Sequence, residues 1–267
     1  MSQTFSTIFP GVQPVIAAAV HDGHEISPYL RPYMALNEQE RLREEDPFTG
    51  DWTKIADTRI IANYSRFEVD LNRPREKAVY QKPEDAWGLQ IWKDDLPEEI
   101  VQKSLAKYDQ FYINAKHAIN QVFSTHDFFV VYDLHTYNHL RDGEFAQPAN
   151  PEGNPEVNIG TGNLDRAVWG EVVDVLIDQL RSFDFKGRKL DVRENVKFKG
   201  GYFSKWVQKE YGNAACPIAI EFKKFFMNEW TGEADSASLS LIQAALASTV
   251  DPVNEALRRV HDQILGH

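Results

Sequence analysis

A chain of 267 residues is long enough to bury a substantial core, and 42% hydrophobic with 26% charged residues is ordinary for a globular protein. A formal charge of −11 argues against nucleic acid or an anionic membrane as the main partner, while leaving room for a small anionic ligand gripped by a local arginine. The single cysteine, Cys216, excludes an intrachain disulfide and a cysteine-rich metal site, and suits a reducing, cytoplasmic location.

Taken in chain order, VIAAAV at 15–20 predicts a buried strand. It is not read as a leader or a membrane span, because no Lys or Arg precedes it, Pro10 and Pro14 interrupt the region, and it is far too short. Straight after it come His21, Asp22, Gly23, His24 and Glu25, four groups able to bind a metal or move a proton around one glycine. Residues 27–55 are polar, with a short helix expected around NEQERLREE. TRIIANYSRFEV, at 58–69, is rich in β-branched and aromatic residues and predicts a strand that stops at DLNRP, where Pro74 disfavours continuation. Residues 75–97 read as irregular.

Ile100, Leu105, Tyr108, Phe111, Tyr112, Ala115, Ile119 and Val122 recur near helical spacing and predict a long amphipathic helix from 98 to about 123. DFFVVYDL predicts a central strand covered on both faces and ending at His135. Residues 142–163 hold many Gly, Pro and Asn and read as a long loop. A helix over 165–182 follows, then a short strand at 189–193, a Gly-Gly turn and a short helix at 204–211. CPIAIEF is another apolar strand, with Glu221 at its carboxyl end. SLSLIQAALASTVDPVNEALRRVHDQIL is helical and amphipathic, with a bend expected near Pro252. Strands alternate with helices throughout, which predicts one α/β domain over 1–267 with a mixed, mostly parallel sheet flanked by helices.

Three strand exits line up: VIAAAV leads into His21, FFVVYDL into His135 and CPIAI into Glu221. In open α/β sheets the ligand crevice lies outside the carboxyl ends of the strands, so these residues are expected to converge. A lone His in a loop, or a Glu at a strand end, is ordinarily solvated or structural. Three such groups at three exits shift that balance, since a buried imidazole or carboxylate without a partner is costly. Catalytic zinc needs three protein ligands and an open position. His21 and His135 supply two; the third lies open among Glu25, His24 and, farther off, Asp46 in REEDPFTG. In SRFEVDLNRP, Arg73 with Asn72 makes a fork of donors suited to a carboxylate, and Arg66 is an alternative. The plain alternative for Arg73 is a strand-end salt bridge. Asp70 is expected to orient Arg73.

HDG, DLNR, DLHTY and IAIEF, in that order, resemble the zinc-dependent carboxypeptidase and aspartoacylase superfamily. The chain is most similar to its N-formylglutamate amidohydrolase branch, over nearly the full length. The branch's motifs appear as the His-x-Gly turn, SRFEVDLNR, DLHTY, NVKFKGGY and IEFKKFFMNE. The resemblance implies a zinc-carboxypeptidase-like fold of the phosphorylase/hydrolase-like type, and Zn²⁺ as cofactor. It implies His21 and His135 as metal ligands, Asn72 and Arg73 as the pair holding a substrate carboxylate, and Glu221 as the general base. The superfamily's usual second ligand, a Glu three residues after the first His, falls at His24 here. The branch places an Asp where Asp46 falls, so Asp46 and Glu25 share the third position. Gly200 and Gly201 would bring backbone close to substrate, and Tyr202 would donate a hydrogen bond.

The implied reaction is hydrolysis of the amide of a small-molecule N-acyl amino acid such as N-formylglutamate. Zinc would polarise the carbonyl and acidify its water, and Glu221 would carry the proton to the leaving amine. The rival enzyme is a metallo-carboxypeptidase or peptidoglycan-type amidase, with the loops at 75–97 and 142–163 lining a peptide groove. A non-catalytic binding module on the same fold is the third reading. The metal-type residues, the arginine and the late glutamate argue against it.

Overall fold

The computed structural model of the protein describes residues 4–265. Its strands are β1 (Ser6–Phe9), β2 (Val15–Ala19), β3 (Thr58–Ala62), β4 (Phe129–Tyr137), β5 (Val157–Gly160), β6 (Val192–Glu194) and β7 (Ala215–Lys223). They form one sheet in the order β1-β3-β2-β4-β7-β5-β6. β3, β2, β4 and β7 are mutually parallel. β1 joins β3 antiparallel at one edge; β5 and β6, parallel to each other, join β7 antiparallel at the other. The helices are α1 (Glu38–Glu44), α2 (Thr49–Trp52), α3 (Glu98–Phe123), α4 (Arg166–Ser182), α5 (Tyr202–Tyr211) and α6 (Ser236–Leu265). The expected α/β fold with a mixed, mostly parallel sheet is what forms.

Continuous apolar runs build the centre because both sheet faces are covered. Val15 and Ala17 of β2, with Val130 and Tyr132 of β4, pack against Trp169 and Leu176 of α4 and Ile242 and Val253 of α6. The alternate residues Ile16, Ala18, Phe129 and Val131 meet Phe111 and Ile119 of α3 and Phe203 of α5 on the other face. Helix starts follow local chemistry. Asn37 and Glu40 form a reciprocal capping box on α1, Asp165 accepts from Ala167 N–H on α4, and α3 opens on Glu98 and Glu99 behind Pro97. α6 continues unbroken through Pro252. Among the described residues no helix is long and apolar enough to cross a membrane.

Several sequence expectations need correction. The strand predicted over 58–69 stops at Ala62, because Glu68 is fully buried and must turn away from the sheet to find partners. It accepts from Ser27 N–H and Oγ at 2.7 Å each and pairs with Lys107 of α3 at 2.5 Å. β4 runs past His135 to Tyr137, since β7 extends beside it and pairs His135 with Glu221 and Tyr137 with Lys223. The loop at 142–163 contains β5, the short strand lies at Val192–Glu194, and α5 begins two residues early at Tyr202. Residues 75–97 lack long elements yet are packed. Tyr80, Ile91 and Trp92 join Ile26, Leu30 and Phe67 in a small third core.

The two faces of the sheet are large enough that losing one central ring is measurable without loss of the fold. Phe111→Ala, at a position with no exposed surface, should destabilise the protein by about 3–5 kcal/mol, read from the denaturation midpoint in urea.

Candidate metal centre and cleft

β2 delivers His21 to a turn in which Gly23 lies against the backbone next to β3. A Cβ on Gly23 would stand 2.3 Å from atoms of Asn63 and Tyr64, so only glycine allows this approach. The turn then fans its polar side chains apart. His21 points inward and is buried. Asp22 accepts from Gly50 N–H at 2.8 Å, and His24 Nδ1 lies 2.5 Å from Glu45. Glu25 forms a bridge with Tyr64 that turns its carboxylate to solvent, 3.8 Å from Arg31. Glu25 therefore does not reach the other proposed ligands, and neither does His24.

Asp46 does reach them. Its N–H donates to the His21 carbonyl at 3.0 Å, and the buried Lys224 ammonium fixes the approach by donating to the carbonyls of Arg43 and Glu45 at 2.6 and 2.7 Å. One ligand atom from each of His21, Asp46 and His135 lies within 4.8 Å of the others, all three residues being buried. Asp46 Oδ2 is 3.3 Å from His21 Nδ1 and 3.0 Å from His135 Nδ1, and Thr136 donates to its other oxygen at 3.1 Å. His21 Nδ1 is buried and makes no hydrogen bond.

The outer nitrogens of both rings are already taken. His21 Nε2 lies 2.7 Å from Asp70 and His135 Nε2 2.8 Å from Asp133. Asp70 also accepts from Arg66 at 2.9 Å, from Asn72 N–H at 2.8 Å and from the Tyr80 hydroxyl. Asp133 accepts from Ser204 of α5 at 2.8 Å. With each Nε2 turned outward to an aspartate, each Nδ1 faces Asp46, and once it has given up its proton it offers the inward lone pair that metal-binding histidines present. The charges agree. Burial alone would raise Asp46, but the hydrogen bond from His135 and the His21 ring beside it hold it well below the usual carboxylate range. Burial alone would lower His135, yet Asp133 and Asp46 pull it well above the usual imidazole range. Such a surplus of carboxylate around two imidazoles favours positive charge at its centre. Two imidazole nitrogens and one carboxylate, with room beside them, fit a divalent cation with an open position.

Glu221 stands across from His135 on the neighbouring strand. Burial, with Asp46 and Asp133 adding to it, pushes its carboxyl up to about 8. A carboxyl in that range can both accept and return a proton near neutrality.

These groups open into a cavity of about 230 Å³. Arg66, Asn72, Trp87, Arg141, Phe198 and Gly201 are among the residues around it. Gly201 fits because a Cβ there would collide with the Asn72 amide at 2.2 Å, and Asn72 in turn caps α5 by accepting from Phe203 N–H at 2.9 Å. Two expected substrate contacts are not part of this lining. Arg73 donates to the Asp85 carbonyl at 2.7 Å and lies over the Tyr80 ring, because the packed 75–97 segment takes up its guanidinium. Asp70 lies 3.5 Å from Arg73 but binds Arg66 more closely. The Tyr202 ring faces Tyr112 within an aromatic cluster. The sequence reading gives Asp133, Lys224 and Arg141 no part in the site, and Asp70 one only as the partner of Arg73. For Asp133, its place two residues before His135 on one strand face was an available signal.

A profile of the N-formylglutamate amidohydrolase family matches residues 13–226. No curated protein matches. Among solved structures, N-formylglutamate amidohydrolase from Ralstonia eutropha JMP134 is 17% identical, with TM-score 0.74 over 96% of this chain and 99% of that one. A gene product from Agrobacterium tumefaciens is also 17% identical, with TM-score 0.60 over 94% of this chain and 91% of that one. With most of its length matched, the chain belongs to the N-formylglutamate amidohydrolase family.

Proposed function

We propose that the chain, as one catalytic domain, is a zinc-dependent amidohydrolase that cleaves the amide of an N-acyl amino acid of the N-formylglutamate type. The observation that carries this reading is the buried His21–Asp46–His135 cluster opening on the same cleft as Glu221. His21 Nδ1, Asp46 and His135 Nδ1 would hold the ion, and zinc there supplies Lewis acidity toward the amide carbonyl and the attacking water.

The protein's own groups do the rest. Glu221 accepts a proton from the attacking water and passes it to the nitrogen that leaves, so the C–N bond breaks to give a carboxylate and a free amine. Burial raises this carboxyl in the metal-free chain, and a divalent cation beside it would draw it back toward the carboxylate that the first step needs. Arg66 and Asn72 line the cleft and supply donors for the carboxylate of the amino-acid half, replacing Arg73 in that role. A cavity of about 230 Å³ walled by Trp87 and Phe198 favours a small acyl amino acid over an extended peptide.

Glu221→Gln should lower kcat on N-formylglutamate by about 10³-fold or more while zinc content, read by elemental analysis, stays at the parent level. Comparable turnover in the variant would remove Glu221 from its role. Asp133→Asn should weaken zinc binding by about 10–100-fold in a competition titration with a chelator, because His135 loses its orienting partner. The buried Glu221 also has a stability consequence. Its folded pKa lies above the ordinary carboxylate value of 4.5, so the folded state loses stability as pH rises from 4.5 toward 8. In chelator-treated protein, Glu221→Gln should therefore melt higher than the parent at pH 7, with the gap closing below pH 4.5. A panel of N-acyl amino acids and short peptides tests the substrate class. Turnover confined to peptides would overturn it.

A further inference from the structure

Four cations line the cleft: Arg66, Arg141, Lys199 and Lys224. Lys224 is spent on two backbone carbonyls, and Arg66 is bound to Asp70 and to the Glu44 carbonyl. Arg141 is different. Its side chain is 51% exposed, and its one ion-pair contact among the described residues is Glu44, at a loose 3.5 Å. A planar fork of donors thus stands at the rim with most of its capacity unused. Lys199 is also exposed, but it is a point charge on a flexible stem, with no ion pair among the described residues.

The backbone under Arg141 is fixed by a device to which the proposed reaction gives no part. Glu229, 1% exposed, accepts from His139 N–H at 2.5 Å, from Leu140 N–H at 3.1 Å, and lies 2.7 Å from His139 Nδ1. Burial would raise this carboxyl, and these hydrogen bonds outweigh it and hold it below the usual range. Trp230 Nε1–H donates to the Leu140 carbonyl at 2.9 Å, and Asn228 reaches Glu144 at 3.3 Å. Three consecutive residues after β7 therefore clamp the segment on both sides of Arg141. A loop clamped by a buried carboxylate is what presenting a side chain at a fixed point requires.

Building on the amidohydrolase reading, we propose that Arg141 is a specificity-determining residue that binds a second carboxylate, on the side chain of the substrate's amino acid. Glu229 is its positioning residue. Arg66 and Asn72 meet the first carboxylate, and Arg141 selects for the second, so the preferred substrate carries two anionic groups on its amino-acid half. The late Met-x-Glu portion of the IEFKKFFMNE motif thereby acquires a purpose. It ties the end of β7 to the rim that reads the substrate.

The test compares N-formyl-L-glutamate with N-formyl-L-glutamine, which has the same shape and no second charge, as a ratio of kcat/KM values. The zinc-loaded parent should favour glutamate by about 30-fold, the scale of one charge-assisted contact. Arg141→Met should bring that ratio to within about threefold of unity, mainly by raising KM for glutamate, and Arg141→Lys should restore part of it. Glu229→Gln should lower the ratio in the same direction, with little further effect when combined with Arg141→Met. Trp230→Phe, which removes the hydrogen bond to Leu140 and keeps a smaller ring under Arg43, provides a milder variant should Glu229→Gln not fold. A parent enzyme that turns over both amides equally, or an Arg141→Met variant that keeps the parent ratio, overturns the assignment of Arg141. If Glu229→Gln and Trp230→Phe both keep the parent ratio, Glu229 loses its positioning role. Turnover of neither amide overturns the amidohydrolase reading itself, and the assignment falls with it.

Discussion

Asp70 and Asp133 each occupy the Nε2 side of a buried imidazole, at 2.7 and 2.8 Å, and this decides what the inner nitrogens present. An imidazole in water samples both tautomers and any ring rotation. Here both rings are pinned with Nε2 against an aspartate, so both Nδ1 atoms converge on Asp46. Each aspartate is itself held. Asp70 is anchored by Arg66 and Asn72 N–H, and Asp133 by Ser204. A network of this kind is stable only when complete, since an unpaired buried carboxylate costs several kcal/mol. The centre is thus built outward in layers, with each layer removing a freedom of the one inside.

The sheet supplies the convergence. β2, β4 and β7 are adjacent and parallel, so their carboxyl ends open on one side, and His135 and Glu221 fall in register on neighbouring strands. His21 and His135, 114 residues apart in the chain, are thereby neighbours in space, their rings 5.1 Å apart. β5 runs antiparallel beside β7, which directs the following chain back toward the cleft by way of the Lys199–Gly201 turn. α5 then starts against Asn72 and places Ser204 on Asp133. The helix that packs the sheet also holds the aspartate that orients a histidine.

Much of this was legible in the residues, and the exceptions share a cause. The apolar runs at β2, β4 and β7 declared buried strands, and His21, His135 and Glu221 were found because each follows or ends such a run. Asp46 was one option among three, since its approach depends on Lys224 donating to carbonyls 179 and 181 residues away, a contact with no local signature. SRFEV looked like strand by propensity, yet the burial of Glu68 forced a turn, so tertiary context overrode a short-range preference. Arg73 and Arg66 carry the same chemistry seven residues apart. Only the folding of the 75–97 segment, which offers the Asp85 carbonyl to Arg73, separates them.

The net charge of −11 and a cleft proposed to bind anions are compatible once distance is considered. A guanidinium at contact distance gives about 4 kcal/mol of attraction at an effective dielectric near 20. Surface carboxylates farther away than about 8–10 Å are largely screened by salt. The sign that a ligand meets at the rim is therefore set by Arg66, Arg141 and Lys199, not by the total. The acidic remainder still has a presence at the mouth: the Glu44 carboxylate lies 3.5 Å from Arg141 and 3.3 Å from Arg43, and its backbone carbonyl accepts from Arg66. For a ligand of the proposed class, exchange with Glu44 at that 3.5 Å pairing would be a small electrostatic change instead of the creation of a new charge pair.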